Sequence, residues 1–337
     1  MRHAPEKYES RPDEAAALSA QGFSRIPLPT AFPIPPINVI LVQGPEGNAL
    51  IDTGMEAQDS LLRLEIALQW RGLRWTDLNA VYFTHPHLDH FGLAAEIAQR
   101  SGATLHAWQP SAHRFENRHE HFAQEQAAYE VWLSEGGFAG ADYPRPTYNI
   151  DSLKAPTITG FVPLGEEFSL VGHRAQAFHV PGHSPWCIAY WFPEARFLVS
   201  GDFLLEHISP NSIVYPAEAA DPDWQGLTVY RRSLSSVEHL PVERVIPGHG
   251  HTFSDSQKAI DMIRLHQEQR RKRVSQRLQE EGSMTLHELG LALFGTRPLQ
   301  SSLYLVFSEL YRHVEWLEQD NLVEVSHHNG LRHIQWR

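Results

Sequence analysis

Short apolar runs punctuated by glycine, proline and asparagine recur along the first three quarters of the chain. Their spacing predicts strands at 23–28, 39–43, 49–52, 80–84, 103–106, within 161–179, and at 187–192, 196–200 and 245–247. The turn Gly44-Pro45-Glu46-Gly47-Asn48 folds the second of these back on the third as a hairpin. Helical periodicity alternates with the strands. Leu61, Leu62, Leu64, Ile66, Leu68 and Trp70 predict a helix over 56–71 closed by Gly72, and further helices are expected at 93–100 and 222–240. Strands and helices in this order predict an α/β sandwich.

Two stretches depart from that rhythm. Within 107–160, Phe115, Phe122, Tyr129 and Leu133 recur at helical spacing before a Gly/Pro-rich run at 136–146. The segment reads as an inserted helix, packing its aromatic face on the core or on a second subunit, or as a lid over a pocket. After residue 255 a long helix is expected at 256–281, and Thr285-Leu286-His287-Glu288 forms a capping box. Leu303, Val306, Leu310, Val314 and Leu317 predict a helix over 299–318, and Asn329-Gly330 sets a terminal hairpin between 322–326 and 331–336. The pattern divides the chain into an N-terminal tail at 1–22, a main domain at 23–255 and a C-terminal domain at 256–337.

The candidate chemistry is concentrated in Thr84-His85-Pro86-His87-Leu88-Asp89-His90, where a loop leaving a strand can point imidazoles and a carboxylate at two neighbouring metal ions. With 21 histidines in 337 residues a single His-x-His means little, but roughly 0.003 matches to the four-residue pattern are expected at random. Composition therefore does not explain the run. Pro181-Gly182-His183, Ser200-Gly201-Asp202 and Pro247-Gly248-His249-Gly250 each follow a short β-prone run, which puts three more metal-grade side chains on loops at strand ends.

Together these residues resemble the metallo-β-lactamase superfamily over about 23–255, and in particular its dinuclear hydrolase branch, which includes glyoxalase II. The resemblance implies an αββα sandwich in which His85, His87 and His183 bind one divalent ion, Asp89, His90 and His249 bind a second, and Asp202 bridges them. Asp52, in Ala49-Leu50-Ile51-Asp52-Thr53-Gly54, matches an aspartate that orients ligand loops instead of binding metal. The chain departs from the common pattern at Phe91-Gly92-Leu93 and at His183-Ser184-Pro185-Trp186. The helices and hairpin after 256 resemble a winged helix, an extension that some members of the superfamily carry.

Composition narrows the partners. The net charge of -12 disfavours long polyanions, so nucleic acid is not the expected substrate. The candidate reading helix sets Arg312 and His313 against Glu309, Glu315 and Glu318, a poor match to DNA; dimerisation or closure of a pocket is the expected use. The run Arg270-Arg271-Lys272-Arg273 reads as a solvated helix face. With Cys187 as the one cysteine and no segment resembling a secretory signal or a membrane span, a cytoplasmic protein is expected. His106, His113, His119 and His121 lack a metal-binding context and read as surface or isolated residues. Past Asp202, the polar stretch at 206–215 is expected near the metals. There His207, Asn211 and Tyr215, with Trp186, are candidate substrate contacts, and Ser212 lies among them.

Two divalent ions, two aspartates and a bridging hydroxide sum to about +1, a centre that attracts oxyanions. The hydroxide would be the nucleophile, with Asp89 taking a proton as the intermediate collapses. Thiolates and stabilised alkoxides leave with little proton assistance, which favours thioester, ester or lactone hydrolysis of a small molecule. A phosphodiesterase or ribonuclease, or a mono-iron sulfur dioxygenase using His85, His183 and Asp202, are the alternatives; a non-catalytic sensor is disfavoured by the intact ligand set. Zinc suits five imidazoles and two carboxylates, and iron or manganese also fits.

Overall fold

The computed structural model describes residues 11–32, 34–55, 57, 59–139, 143, 153–216 and 224–337. Its centre is a pair of facing sheets. One orders β1 (Phe23–Leu28), β2 (Ile37–Gly44), β3 (Gly47–Ile51), β4 (Leu78–Tyr82), β5 (Thr104–Ala107) and β6 (Gly160–Phe161) in sequence order. The β1–β2 and β2–β3 pairs are antiparallel and the rest parallel. The other runs from β7 (Glu167–Leu170) through β8 (His173–His179), β9 (Ile188–Phe192) and β10 (Phe197–Gly201) to β11 (Arg244–Pro247), parallel only at its last pair.

Alternation along the strands decides the layers, because successive side chains point to opposite faces. Ile40, Val42 and Ile51 of the first sheet meet Ala177, Tyr190 and Val199 of the second in one buried cluster. Val39, Leu41 and Leu50 point the other way, against α2 (Ser60–Gln69) and α4 (Ala94–Ser101) through Leu64, Leu68 and Ile97. Trp191, Leu198 and Val245 on the outer face of the second sheet pack on α7 (Leu227–Val237) and the first turns of α8 (Ser256–Glu281). The fold is thus the expected αββα sandwich. The hairpin between β2 and β3 has the expected partners, while α1 (Pro12–Ser19) occupies part of the predicted tail, held by a buried ion pair of 2.8 Å between Glu14 and Arg25 of β1. Among the described residues no helix is long and apolar enough to cross a membrane.

After α3 (Leu88–Phe91), the inserted segment forms two helices, α5 (Ala112–Glu116) and α6 (Arg118–Glu135), broken at Asn117. Its aromatic positions divide between two cores. Phe115 sits 4.8 Å from the Phe83 ring and 5.1 Å from the Phe91 ring, whereas Tyr129 and Leu133 pack with the C-terminal region. Most of the predicted Gly/Pro run at 136–146 lies outside the described residues.

The C-terminal region continues α8 with β12 (Ser283–Thr285), α9 (Leu286–Phe294), α10 (Thr296–Gln319), β13 (Val323–His328) and β14 (Leu331–Trp336). The predicted capping box opens α9, with Glu288 N–H donating to Thr285 Oγ1 and Thr285 N–H to Glu288. Asn329 and Gly330 turn the hairpin with φ of 52° and 77°. Helix α8 serves both cores, Ile260 and Ile263 under the second sheet and Val274 and Leu278 in the C-terminal cluster. The arginine run on it is only in part the expected solvated face: Lys272 and Arg273 are exposed, whereas Arg270 and Arg271 are partly buried. Arg270 pairs with Glu309 at 3.1 Å, Arg271 with Asp320, and Arg273 donates to the Leu293 carbonyl at 2.9 Å. Arg312 and His313 are also buried, and Arg312 donates to the Ile213 carbonyl at 2.8 Å, which ties α10 to the loop after β10. Neither is available to read DNA.

Candidate metal centre

Strands β3 and β4 lie side by side and parallel, so the residues just beyond their ends are neighbours. Asp52 follows β3 with φ of 60°. It accepts the Thr84 N–H at 2.9 Å, the Thr84 hydroxyl at 2.8 Å and the His90 Nδ1–H at 2.7 Å, which pins the histidine loop at both ends. His85 and His87 lie on that loop, and Asp89 and His90 on the single turn of α3. The loops after β8, β10 and β11 bring His183, Asp202 and His249 to the same place.

The seven residues expected as ligands converge. His85 Nε2 and His183 Nε2 each lie 2.9 Å from His87 Nδ1. His249 Nε2 lies 3.3 Å from Asp89 Oδ2 and 3.4 Å from Asp202 Oδ2, whose other oxygen is 3.4 Å from His90 Nε2. Asp202 Oδ2 is also 3.6 Å from His183, so one carboxylate faces both groups. Potential ligand atoms of His85, His87 and His183, of Asp89, His90 and His249, and of His85, His90 and Asp202 fall within 4.8 Å of one another in each set.

The outward ring nitrogens fit the same reading. His90 Nδ1 donates to Asp52, His183 Nδ1 to the Asn211 carbonyl at 2.7 Å, and His249 Nδ1 to the Pro35 carbonyl at 2.8 Å. His85 Nδ1 meets Thr84 Oγ1 at 3.0 Å, and His87 Nε2 meets the Tyr215 hydroxyl. Each imidazole is thereby fixed by its outer nitrogen with the inner one turned to the centre, the arrangement that supports metal-bound histidine. His90 Nε2, His249 Nε2 and Asp202 Oδ1 are buried without a hydrogen-bond partner among the described residues. Orphaned donors and acceptors of this kind are rare, and divalent cations would satisfy all three.

Burial pushes the His85 and His87 pKa values well below the ordinary range, and neighbouring imidazoles add to the shift. Burial opposes but does not overcome the carboxylates at the other group: Asp202 and Asp52 raise His90 well above its usual value, and Asp202 and Asp89 bring His249 to about 10. The carboxylates thus favour the protonated form of both imidazoles in the metal-free protein, and metal must displace protons held there. Calorimetric titration of metal-free protein at pH 7, in buffers of different ionisation enthalpy, is expected to register release of about two protons as metal binds. Affinity then rises with pH. Binding with no proton release would contradict this charge distribution.

Gly248 allows the close approach of β11 to the centre, since a Cβ there would stand 2.3 Å from Asp202 Oδ1 and 2.9 Å from the His90 ring. Gly248→Ala is expected to displace the Asp202 carboxylate and lower metal affinity by about tenfold to a hundredfold, as loss of an orienting contact does. Metal titration against a competing chelator reads the change.

The centre opens into a cavity of about 430 Å³ lined by His87, Asp89, His183 and Asp202. Trp186 and Tyr215, the candidate substrate contacts, line it. His207 lies outside, exposed and paired with Glu206 at 3.1 Å, and Asn211 acts through its carbonyl while its side chain donates to Leu305. Ser212 is buried. Of the other histidines, His106 stacks on Tyr82 at 4.7 Å and His113 packs edge-on to His121 at 4.9 Å. The nitrogens of His121 are buried, so it is not a plain surface residue. His119 meets the Leu153 carbonyl at 3.0 Å. Sequence reasoning missed Arg114 and Arg118 and the start of α10, which complete the cavity wall; no spacing in the chain joins them to the histidines.

Sandwich and centre together define a metal-dependent hydrolase built on strand-end loops. The sequence model of the Metallo-beta-lactamase superfamily matches residues 33–249, and the chain belongs to that superfamily. It is 26% identical over 318 residues to the probable metallo-hydrolase YqjP of Bacillus subtilis, covering 91% of this chain and 95% of that one. It is 27% identical over 180 residues to the hydroxyacylglutathione hydrolase GloC of Haemophilus influenzae, covering 50% and 67%. The crystal structure of the metallo-beta-lactamase family protein TTHA1429 from Thermus thermophilus superposes with a TM-score of 0.78 at 26% identity, over 94% of this chain and 99% of that one.

Proposed function

We propose that the protein is a two-metal hydrolase of a small-molecule thioester, ester or lactone, with zinc as the favoured metal. The observation that carries this reading is the convergence of five histidines and two aspartates into two groups that share Asp202. When bound there, divalent ions supply a nucleophile from water at neutral pH and polarise the scissile carbonyl. The chain's residues do the rest. Burial works against ionisation of Asp89, but His249 and His90 hold its pKa below the usual carboxylate value, so it stands as a base at the cavity wall. Tyr215, raised to about 12 by burial, keeps its proton and braces His87. Trp186 packs edge-on to Tyr215 at 4.9 Å and excludes water from the same wall.

Similarity to a hydroxyacylglutathione hydrolase supports the thioester end of the range. The order helix, strand, two helices and hairpin supports the winged-helix reading of the C-terminal region, used here to close the cavity through residues 300–305 of α10. The test is turnover of a thioester, a lactone and a bis-aryl phosphodiester by metal-loaded protein. Thioester or lactone turnover is expected. Activity confined to the phosphodiester would install the phosphodiesterase or ribonuclease reading, and oxygen consumption on a persulfide with one iron per chain would install the sulfur dioxygenase.

A further inference from the structure

The cavity beside the histidines also holds two arginines that the hydrolysis just described does not use. Arg114 and Arg118 lie one helical turn apart across the break between α5 and α6, and both line the cavity. They share a single carboxylate, Glu125, which pairs with Arg114 and lies 3.0 Å from Arg118 Nη1. The side chain of Arg114 is 2% exposed and that of Arg118 12%. Beyond Asp89 and Asp202 of the metal centre, Glu125 is the one acidic residue among the described residues lining the cavity.

Two guanidiniums against one carboxylate leave a buried positive charge, which is costly until something compensates it. The hydrogen bonds tell the same story: Arg114 Nε and Nη1 and Arg118 Nε are buried with no hydrogen-bond partner among the described residues. The Arg114 guanidinium instead stacks 4.4 Å from the centre of the Trp186 ring and lies 5.8 Å from that of Tyr215. Across the cavity wall, α10 breaks at Ser302, where φ and ψ are -152° and 43°. Leu303, Tyr304 and Leu305 begin the continuing helical segment and line the cavity. The start of a helical segment carries partial positive charge.

We propose that Arg114, Arg118 and the start of this helical segment form an anion-binding subsite that takes a carboxylate or phosphate carried by the substrate, which makes the substrate an anionic acyl ester or thioester. The substrate assignment rests on the hydrolase reading; the subsite does not. The anion sits in the cavity whose aromatic wall, Phe122, Trp186 and Tyr215, holds the apolar part of the molecule.

The test compares full-length, metal-loaded wild type with Arg118→Gln and Arg118→Lys. Calorimetric titration with glutarate and with inorganic phosphate measures anion binding; any binding through the metals is common to the three proteins. Affinity for at least one anion is expected to fall about 30-fold in Arg118→Gln and to be largely restored in Arg118→Lys. The stronger Arg118-dependent anion identifies the head group. In parallel, the ratio of kcat/KM for mono-4-nitrophenyl glutarate over 4-nitrophenyl butyrate is expected to fall by a similar factor in Arg118→Gln, mainly through KM. Equal anion affinities in wild type and Arg118→Gln would overturn the subsite. Arg118-dependent anion binding without turnover of any thioester, ester or lactone would leave the subsite standing and overturn the hydrolase reading.

Discussion

Replacing Asp202 with alanine is expected to reduce bound metal from two ions per chain to one or fewer and to lower turnover by at least about a thousandfold. Among the described residues Asp202 is the single carboxylate within 3.6 Å of both His183 and His249, and its other oxygen lies 3.4 Å from His90. The substitution therefore removes the carboxylate that both groups face and leaves His90 with Asp52 alone, and His249 with Asp89 alone, as counter-charge. His87→Ala is the companion variant. It deletes the nitrogen on which His85 and His183 converge, and metal and activity should fall together. Metal analysis and steady-state rates on the two variants check this. Retained turnover with unchanged metal content in either would remove that residue from the centre.

Truncation after Asp255 is expected to abolish soluble folding, although the break lies where the sequence pattern changes and the family match has already ended. The physical reason is that α8 completes the cover of the second sheet. Removing residues 256–337 strips Ile260, Ile263 and Trp316 from the cluster that holds Trp191, Leu198 and Val245. At about 2 kcal/mol for each buried large apolar side chain, this alone approaches the whole net stability of an ordinary domain. Tyr129, Leu133 and Val214 would lose their C-terminal partners as well, and Arg312 its grip on the Ile213 carbonyl. Light scattering and circular dichroism read the outcome. A monodisperse fragment that unfolds cooperatively at the wild-type midpoint would show that the main domain stands alone.

These contacts mark the boundary of what the sequence reveals. The metal run could be read directly because its ligands are local: β4 ends, a loop turns, and one helical turn follows, so spacing and geometry are nearly the same information. His183, Asp202 and His249 could be found because each follows its own apolar strand, and Asp52 through the family resemblance of its strand-end motif. Helix boundaries after 256 were equally legible, since capping box and Asn-Gly turn act through neighbouring residues. What stayed hidden depends on distant partners. Arg270, Arg271 and Arg273 look like a basic surface until Glu309, Asp320 and the Leu293 carbonyl are seen opposite them. Likewise, Phe115 and Tyr129 share one periodic pattern yet belong to different cores, because the helix breaks at Asn117 between them. Periodicity reports a buried face without naming what buries it.

The most direct test of a two-metal centre is the metal content of the full-length protein purified without added metal and then titrated with zinc. Two ions per chain, with catalytic activity saturating at the second equivalent, are expected from a centre whose two histidine groups share Asp202. Saturation at one ion per chain, or activity undiminished after complete removal of metal, would contradict it.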